Sequence, residues 1–388
     1  MQTTKIRRYD LDWLRVLVFG LLIIYHVGMF FVPWGWHIKN NEISEELVWP
    51  MAFVNRWRLH ILFVISGIGT FYALSFRSAG QFAWERIKRL GIPLLFGMLF
   101  IIPPQVYIER LAHGEISTGY LTYFTTQAFD GVYPQGNLSW HHLWFLPYLL
   151  IYSLILMPVF IYLRSHPQNP FTSWVSRLLQ KPWKIYLFVI PLYFVEALVE
   201  PFFPVTHALI DDWFTFVNFL ILFFYGFVLI SAREAFWTAL RKIKRPALII
   251  GILCFSVQLY LWSIEDTIIR HFSEALIAVL NFWSWILVIF GYGAKYLNRK
   301  SKILAYCNRA VYPFYILHQT VTIVIAYYLM NLSWSIWLKF IILTGGTFLV
   351  CWLLYELFIL RIPLLHPVFG LKKQNKAVVE GAPKKAIS

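Results

Sequence analysis

The first span constrains everything else. Beyond the boundary arginine Arg15, residues up to Pro33 form an apolar run, LVFGLLIIYHVGMFF at its centre, interrupted by one imidazole, His26. A bilayer's hydrocarbon core is about 30 Å thick and takes about 20 such residues to cross as a helix. Counted from Leu14, His26 lies roughly 18 Å along, past the midplane, where a polar side chain without a partner costs several kcal/mol. An ionisable residue kept at that depth points to a functional site, the competing role being a neutral imidazole hydrogen-bonded to a neighbouring helix.

The rest of the chain repeats the pattern. With 59% hydrophobic residues and a mean hydropathy of +0.61, it reads as an all-α polytopic membrane protein. Ten spans are expected, near 14–33, 58–76, 90–108, 143–163, 184–200, 213–231, 246–264, 274–294, 311–331 and 336–358. The first run is too long for a secretory signal, and the bulky Met29 to Pro33 that follows offers no cleavage site. A net charge of +15 could suggest nucleic acid, but 28 of the 34 Lys and Arg fall in short clusters at alternate connections. That is membrane topology, with both termini cytoplasmic and lipid as the surroundings. A membrane domain over 1–365 is followed by a polar, basic, disordered tail over 366–388. The cysteines Cys254, Cys307 and Cys351 show neither disulfide nor metal spacing.

The outer connections are rich in tryptophan. Most of these fit an interfacial aromatic belt, while Trp34, Trp36 and Trp140, beside His37 and His142, also suit sugar stacking. Neither an internal repeat nor the paired broken helices of inverted-repeat transporters is visible.

Several polar groups stand in or beside the spans. Asp12 and Arg15 mark the inner boundary of the first; Arg15 and His26, eleven positions and roughly 16 Å apart, lie on nearly one face. One helix can then touch both ends of a long ligand. Taken singly, Asp12 equally fits charge compensation at a helix start and Arg15 equally fits snorkelling to phosphates. Arg58 and His60 open the second span at its outer face, and Ser66-Gly67 with Gly69 permit close helix packing. On the next inner loop Arg86, Lys88 and Arg89 form a cation cluster suited to a phosphate-bearing ligand such as coenzyme A, although topology alone would also place them there. At the fourth span, adjacent His141 and His142 point apart on a helix with no acidic or Cys ligand flanking them, so no metal is expected. His142 is kept as a contact for an acceptor hydroxyl, with an interfacial hydrogen bond as the competing role. His318 and Gln319 fall in the ninth span roughly 10 Å from its inner end, shallower than His26, suited to substrate or to an interhelical hydrogen bond.

No Ser-His-Asp set, P-loop or HExxH occurs. A histidine in the outer half with cations on the inner side fits acyl transfer: a thioester donor is already activated, and the protein must orient it and deprotonate an acceptor hydroxyl. A transporter of an acidic metabolite or glycan, with His26 as a protonation switch, is the competing class.

Taken together and in order, four pieces resemble acyltransferase family 3: the Arg15 and His26 pair, the LFVISG helix, the Arg86-x-x-Arg89 loop and the late YPFYILHQ segment. The resemblance spans residues 9 to about 365; within it ERIKRLGIP, HHLWFL and LRIPLL are most similar to the glucans biosynthesis protein C group. It implies ten or so helices and an acyl-CoA donor without fixing the acceptor; the reading is an inner-membrane enzyme with acetyl-CoA or succinyl-CoA as donor and a carbohydrate such as a periplasmic glucan as acceptor. His26 would be the catalytic base, Arg15, Arg86 and Arg89 the donor anchors, and Asp12, Arg58, His142 and His318 chamber residues. Glycan-biosynthesis proteins are the partners it implies.

Overall fold

The computed structural model describes residues 7–371, so of the disordered tail expected over 366–388 only 372–388 lie outside the described residues, and the boundary at 366 is corrected. Up to Leu371 the chain is packed, with Phe369 buried against Phe96.

Among the described residues, nine helices are long and apolar enough to cross a membrane, and a bent pair brings the number to ten. In chain order they are α1 (Tyr9–Met29), α2 (Val48–Leu74), α3 (Ala79–Ala112), the bent α4 (His141–Ile155 and Met157–Ser165), α5 (Pro182–Phe202), α6 (Trp213–Ser231), α7 (Glu234–Leu261), α8 (Ile268–Tyr296), α9 (Lys302–Leu329) and α10 (Ile336–Ile359). Apart from one isolated bridge between Val132 and Leu138, no β-structure occurs among the described residues. The 51° bend of α4 falls at Leu156, where Pro158 can only begin a new helix. Leu95, Ile252 and Ile341 point outward, as side chains facing lipid do.

All ten expected spans are present, but several run further than their apolar windows. The start of α9 precedes the expected 311 by nine residues, because LysIleLeuAlaTyrCys continues the helical period into polar territory. Likewise α2 begins at Val48, so Arg58 lies about three turns inside the helix and not at its mouth.

Helix α1 is central, touching α2, α8, α9 and α10. Against α2 packs α6, and the closeness expected at Ser66-Gly67 is there: a Cβ on Gly67 would overlap the Phe223 carbonyl, and one on Gly226 the Val64 carbonyl. Gly69 differs, since it is exposed with nothing within 4 Å. Only Gly67 serves packing.

Two breaks in α3 tie it to α9. Pro93 has no N–H for the Arg89 carbonyl four residues back, the ladder shifts to π-type over Ile87–Gly91, and the freed Arg89 oxygen accepts from Tyr312 Oη at 2.8 Å. After the second π segment, Gly97–Ile101, and Pro103-Pro104, the Gln105 N–H bonds Ile102, which leaves the Ile101 carbonyl to Thr320 Oγ1 at 2.7 Å.

Gly67→Leu should destabilise the protein by about 1–3 kcal/mol through overpacking of α2 on α6, whereas Gly69→Leu should leave stability nearly unchanged. Thermal unfolding in detergent followed by tryptophan fluorescence compares the two.

Candidate active site

His26 and His318 meet. The two residues stand at similar distances from the starts of α1 and α9, seventeen and sixteen positions in, and both helices begin at the same end of the bundle. Their depths therefore coincide, and the shallower position expected for His318 is corrected by the extra turns of α9. His26 Nδ1 lies 2.7 Å from His318 Nε2, with the rings stacked at 5.0 Å.

The hydrogen positions follow from the partners. His318 Nδ1 is 2.7 Å from the Tyr315 carbonyl, which can only accept, so Nδ1 carries the hydrogen and Nε2 accepts from His26 Nδ1. His26 Nε2 is left with its lone pair and makes no hydrogen bond among the described residues. This is the tautomer a general base needs. His318 is fully buried and positions His26.

His26 borders a cavity of about 390 Å³, whose wall includes Trp36, His37, Arg58, Trp140, His141 and His207. It opens toward the end of the bundle opposite Arg15. Trp36 and Trp140, retained from the sequence as sugar-stacking candidates, both line it. A second, almost wholly apolar cavity of about 180 Å³ runs between α1 and α9, past Val16, Gly20, Cys307 and Phe314, to His318. The imidazole pair thus stands between two spaces.

Arg58 is buried, stacks over the Tyr25 ring at 3.6 Å and donates to Asn55 Oδ1 at 2.9 Å. Its Nε has no partner, and it forms no ion pair among the described residues. A buried guanidinium without a carboxylate beside a cavity is a site for an anion. At His207, which also lines the cavity, burial pushes the imidazole down to about 4, with Asp212 opposing and Arg58 adding to the shift. His207 is neutral at ordinary pH, so the positive charge there belongs to Arg58.

The basic end gathers the other sequence candidates. Arg15 donates to Asp12 at 2.7 Å and to Asn308, while Asp12 is also held by Arg7. Arg86 donates to Thr70 at 3.0 Å, and Arg89 lies close enough to Arg15 and Arg86 for its charge to act on both. The Arg89 guanidinium makes no hydrogen bond among the described residues. Of the three, Arg89 is the most available for a phosphate.

His142 turns inward: Nε2 donates to the Ile316 carbonyl at 3.1 Å, and Nδ1 lies 3.5 Å from Gln105 Nε2. It braces the stretch of α9 that carries His318. Its neighbour His141 faces elsewhere, toward His37 and Glu109, and its Nε2 is buried without a partner. His37 contacts Glu109 through Nδ1 and Gln319 through Nε2, and Tyr133 Oη donates to Glu109 Oε1 at 2.8 Å. Glu109 was missed by reading the sequence. Its signal was the pair Gln105 and Glu109, four apart and hence on one face of the outer end of α3.

Carbethoxylation by diethylpyrocarbonate should mark His26, whose Nε2 is unbonded and faces the cavity, and should spare His318 and His142. Mass spectrometry of the peptides distinguishes them.

The family model described as "Acyltransferase domain" matches residues 8–356. Among curated proteins, the chain is 26% identical over 393 residues to "Glucans biosynthesis protein C" of Shigella dysenteriae serotype 1 (strain Sd197), covering 97% of this chain and 98% of the relative. The same figures hold for the protein of that name from Escherichia coli (strain K12). No solved structure matches significantly.

Proposed function

Because the chain belongs to acyltransferase family 3, and is a multi-pass membrane acyltransferase for groups other than amino-acyl groups, we propose that it carries a short acyl group from cytoplasmic acyl-CoA to a hydroxyl of an extracytoplasmic carbohydrate at a bacterial inner membrane. The observation that carries this reading is the oriented His26–His318 pair, set between a cavity open to one end and a cation cluster at the other. The glucan biosynthesis in the relatives' name supports a glucan as acceptor.

In this mechanism the donor's phosphates sit at Arg89 and Arg86 with Arg15 behind them, and its arm extends toward His26 between α1 and α9. The roughly 16 Å from Arg15 to His26 is the distance the arm bridges. The acceptor enters the large cavity, where Trp36 and Trp140 offer faces to a sugar. His26 Nε2 takes the proton from the acceptor hydroxyl as its oxygen attacks the thioester carbonyl carbon. The tetrahedral oxyanion collapses, the C–S bond breaks, and the coenzyme A sulfur leaves with the proton His26 returns. Through its bond to His26 Nδ1, His318 holds the ring and stabilises the imidazolium that forms.

Arg58 bears on the choice between acetyl and succinyl. A succinyl group carries a carboxylate at its far end, and the unpaired guanidinium beside His26 supplies the matching charge. An acetyl group would leave that charge without a partner.

His26→Gln should lower acyl transfer roughly 10²–10⁴-fold, and His318→Ala on the order of 10²-fold, mostly in kcat, through loss of orientation. Vesicles with labelled acyl-CoA on one side and glucan on the other provide the assay. A His26→Gln protein of wild-type activity, or glucan that crosses unmodified, would overturn the reading. Arg58→Met should reduce transfer from succinyl-CoA about 10–100-fold more than from acetyl-CoA, and equal losses would reassign Arg58 to the reacting centre itself.

A further inference from the structure

We infer that His37, Glu109 and His141 form a binding site for a divalent transition metal, zinc by the chemistry of its donors, at the mouth of the large cavity. One ligand atom from each residue lies within 4.8 Å of the other two. Two imidazoles and one carboxylate are a donor set that suits zinc and leaves a further coordination position. His37 and His141 both line the cavity, so that position faces it and takes an oxygen ligand, either water or a hydroxyl.

Two independent observations support a ligand here. The first is His141 Nε2, buried and without a hydrogen-bond partner, while the other ring nitrogens and the carboxylate oxygens of the three residues are engaged. A buried polar atom left unpaired costs free energy that coordination would recover. The second is the surrounding shell. Metal-bound histidines and carboxylates are usually held from behind by a second hydrogen bond that sets their orientation. Each of these three residues has such a support: Gln319 on His37 Nε2 at 2.9 Å, Tyr133 on Glu109 Oε1 at 2.8 Å, and Ser139 Oγ at 3.4 Å from His141 Nδ1. The neighbouring cation Arg110 is turned to Glu115 and to the carbonyls of Pro134 and Gly136, away from competition for the carboxylate.

Metal binding also has a defined proton account. In the metal-free arrangement His37 Nδ1 donates to Glu109 and Nε2 accepts from Gln319. With the metal on Nδ1, the hydrogen resides on Nε2, and the Gln319 amide turns over to present its oxygen, giving up its present bond to Gln105 Oε1. His37 carries one ring hydrogen in both states, so its tautomer changes and no net proton is released. The three ligands come from separate parts of the chain: the loop after α1, the end of α3 and the start of α4. A bound ion would tie these segments together around the cavity mouth.

The test uses the full chain, purified in detergent with any affinity tag removed, and needs neither acyl donor nor acceptor, so it stands or falls apart from the acyl-transfer reading. Zinc is added, free metal is removed by gel filtration, and retained metal is measured by elemental mass spectrometry. The expected result is one zinc per chain, with affinity at least tenfold weaker in Glu109→Gln and in His141→Asn and unchanged in His166→Asn, a histidine distant in sequence and on the exposed surface. Thermal unfolding should move upward with zinc for the wild type and not for the two ligand variants. Should a ligand variant fail to fold, the visible spectrum of Co²⁺ added to the wild type decides: absorption typical of low-coordinate cobalt supports the site, and an octahedral aqua spectrum overturns it. Zinc absent from the wild type, or retained equally by Glu109→Gln and His141→Asn, also overturns the proposal.

Discussion

The bond between His26 and His318 is the interaction on which the rest of the arrangement depends. In lipid a lone imidazole has no water to satisfy its nitrogens, so each must find protein. The solution here is asymmetric. His318 spends one nitrogen on its own helix and the other on His26, which leaves His26 a single nitrogen facing the cavity. Helix register, ring orientation and tautomer are set by one contact. Everything that fixes α9 against its neighbours, including the His142 bond to the Ile316 carbonyl and the Thr320 bond to the Ile101 carbonyl, also fixes the orientation of His26.

Helix α1 links the two ends of the molecule. Its first turns belong to a charge network of Arg7, Asp12, Arg15 and Asn308, and beyond its last turn Lys39 donates to the carbonyls of Met29 and Val32. A cation at that end suits the partial negative charge of the helix terminus. Burial lowers Lys39 to about 8, so this compensation is lost as the pH rises through that value.

Much of this was legible in the sequence, and where reading it failed the reasons are physical. Apolar windows locate spans because the bilayer demands them, so all ten were found. Windows do not locate helix ends, since a helix continues past the hydrocarbon wherever its period persists. That one error misplaced both Arg58 and His318 in depth: each was measured from a boundary too far along the chain. His26, Arg15 and the Arg86–Arg89 cluster were visible because charge in an apolar run is costly and conspicuous. Glu109 was hidden among the polar residues around a span end, and its meeting with His37 and His141 depends on tertiary structure that no local pattern encodes. Gly69 illustrates the converse, a permissive residue that touches nothing because it lies on the lipid-facing side.

The prolines of α3 have a consequence beyond bending it. Where a carbonyl loses its own helix's N–H in water, solvent replaces the bond; in hydrocarbon only another part of the protein can. Pro93 and the Pro103-Pro104 pair therefore convert two backbone oxygens into address labels, readable only by a helix that presents hydroxyls at the matching heights. Tyr312 and Thr320 of α9 are those hydroxyls. Eight positions apart on one helix, they recognise two breaks about twelve residues apart on another, so the sequence specifies this helix pairing through hydrogen bonds that ordinary helices never leave open.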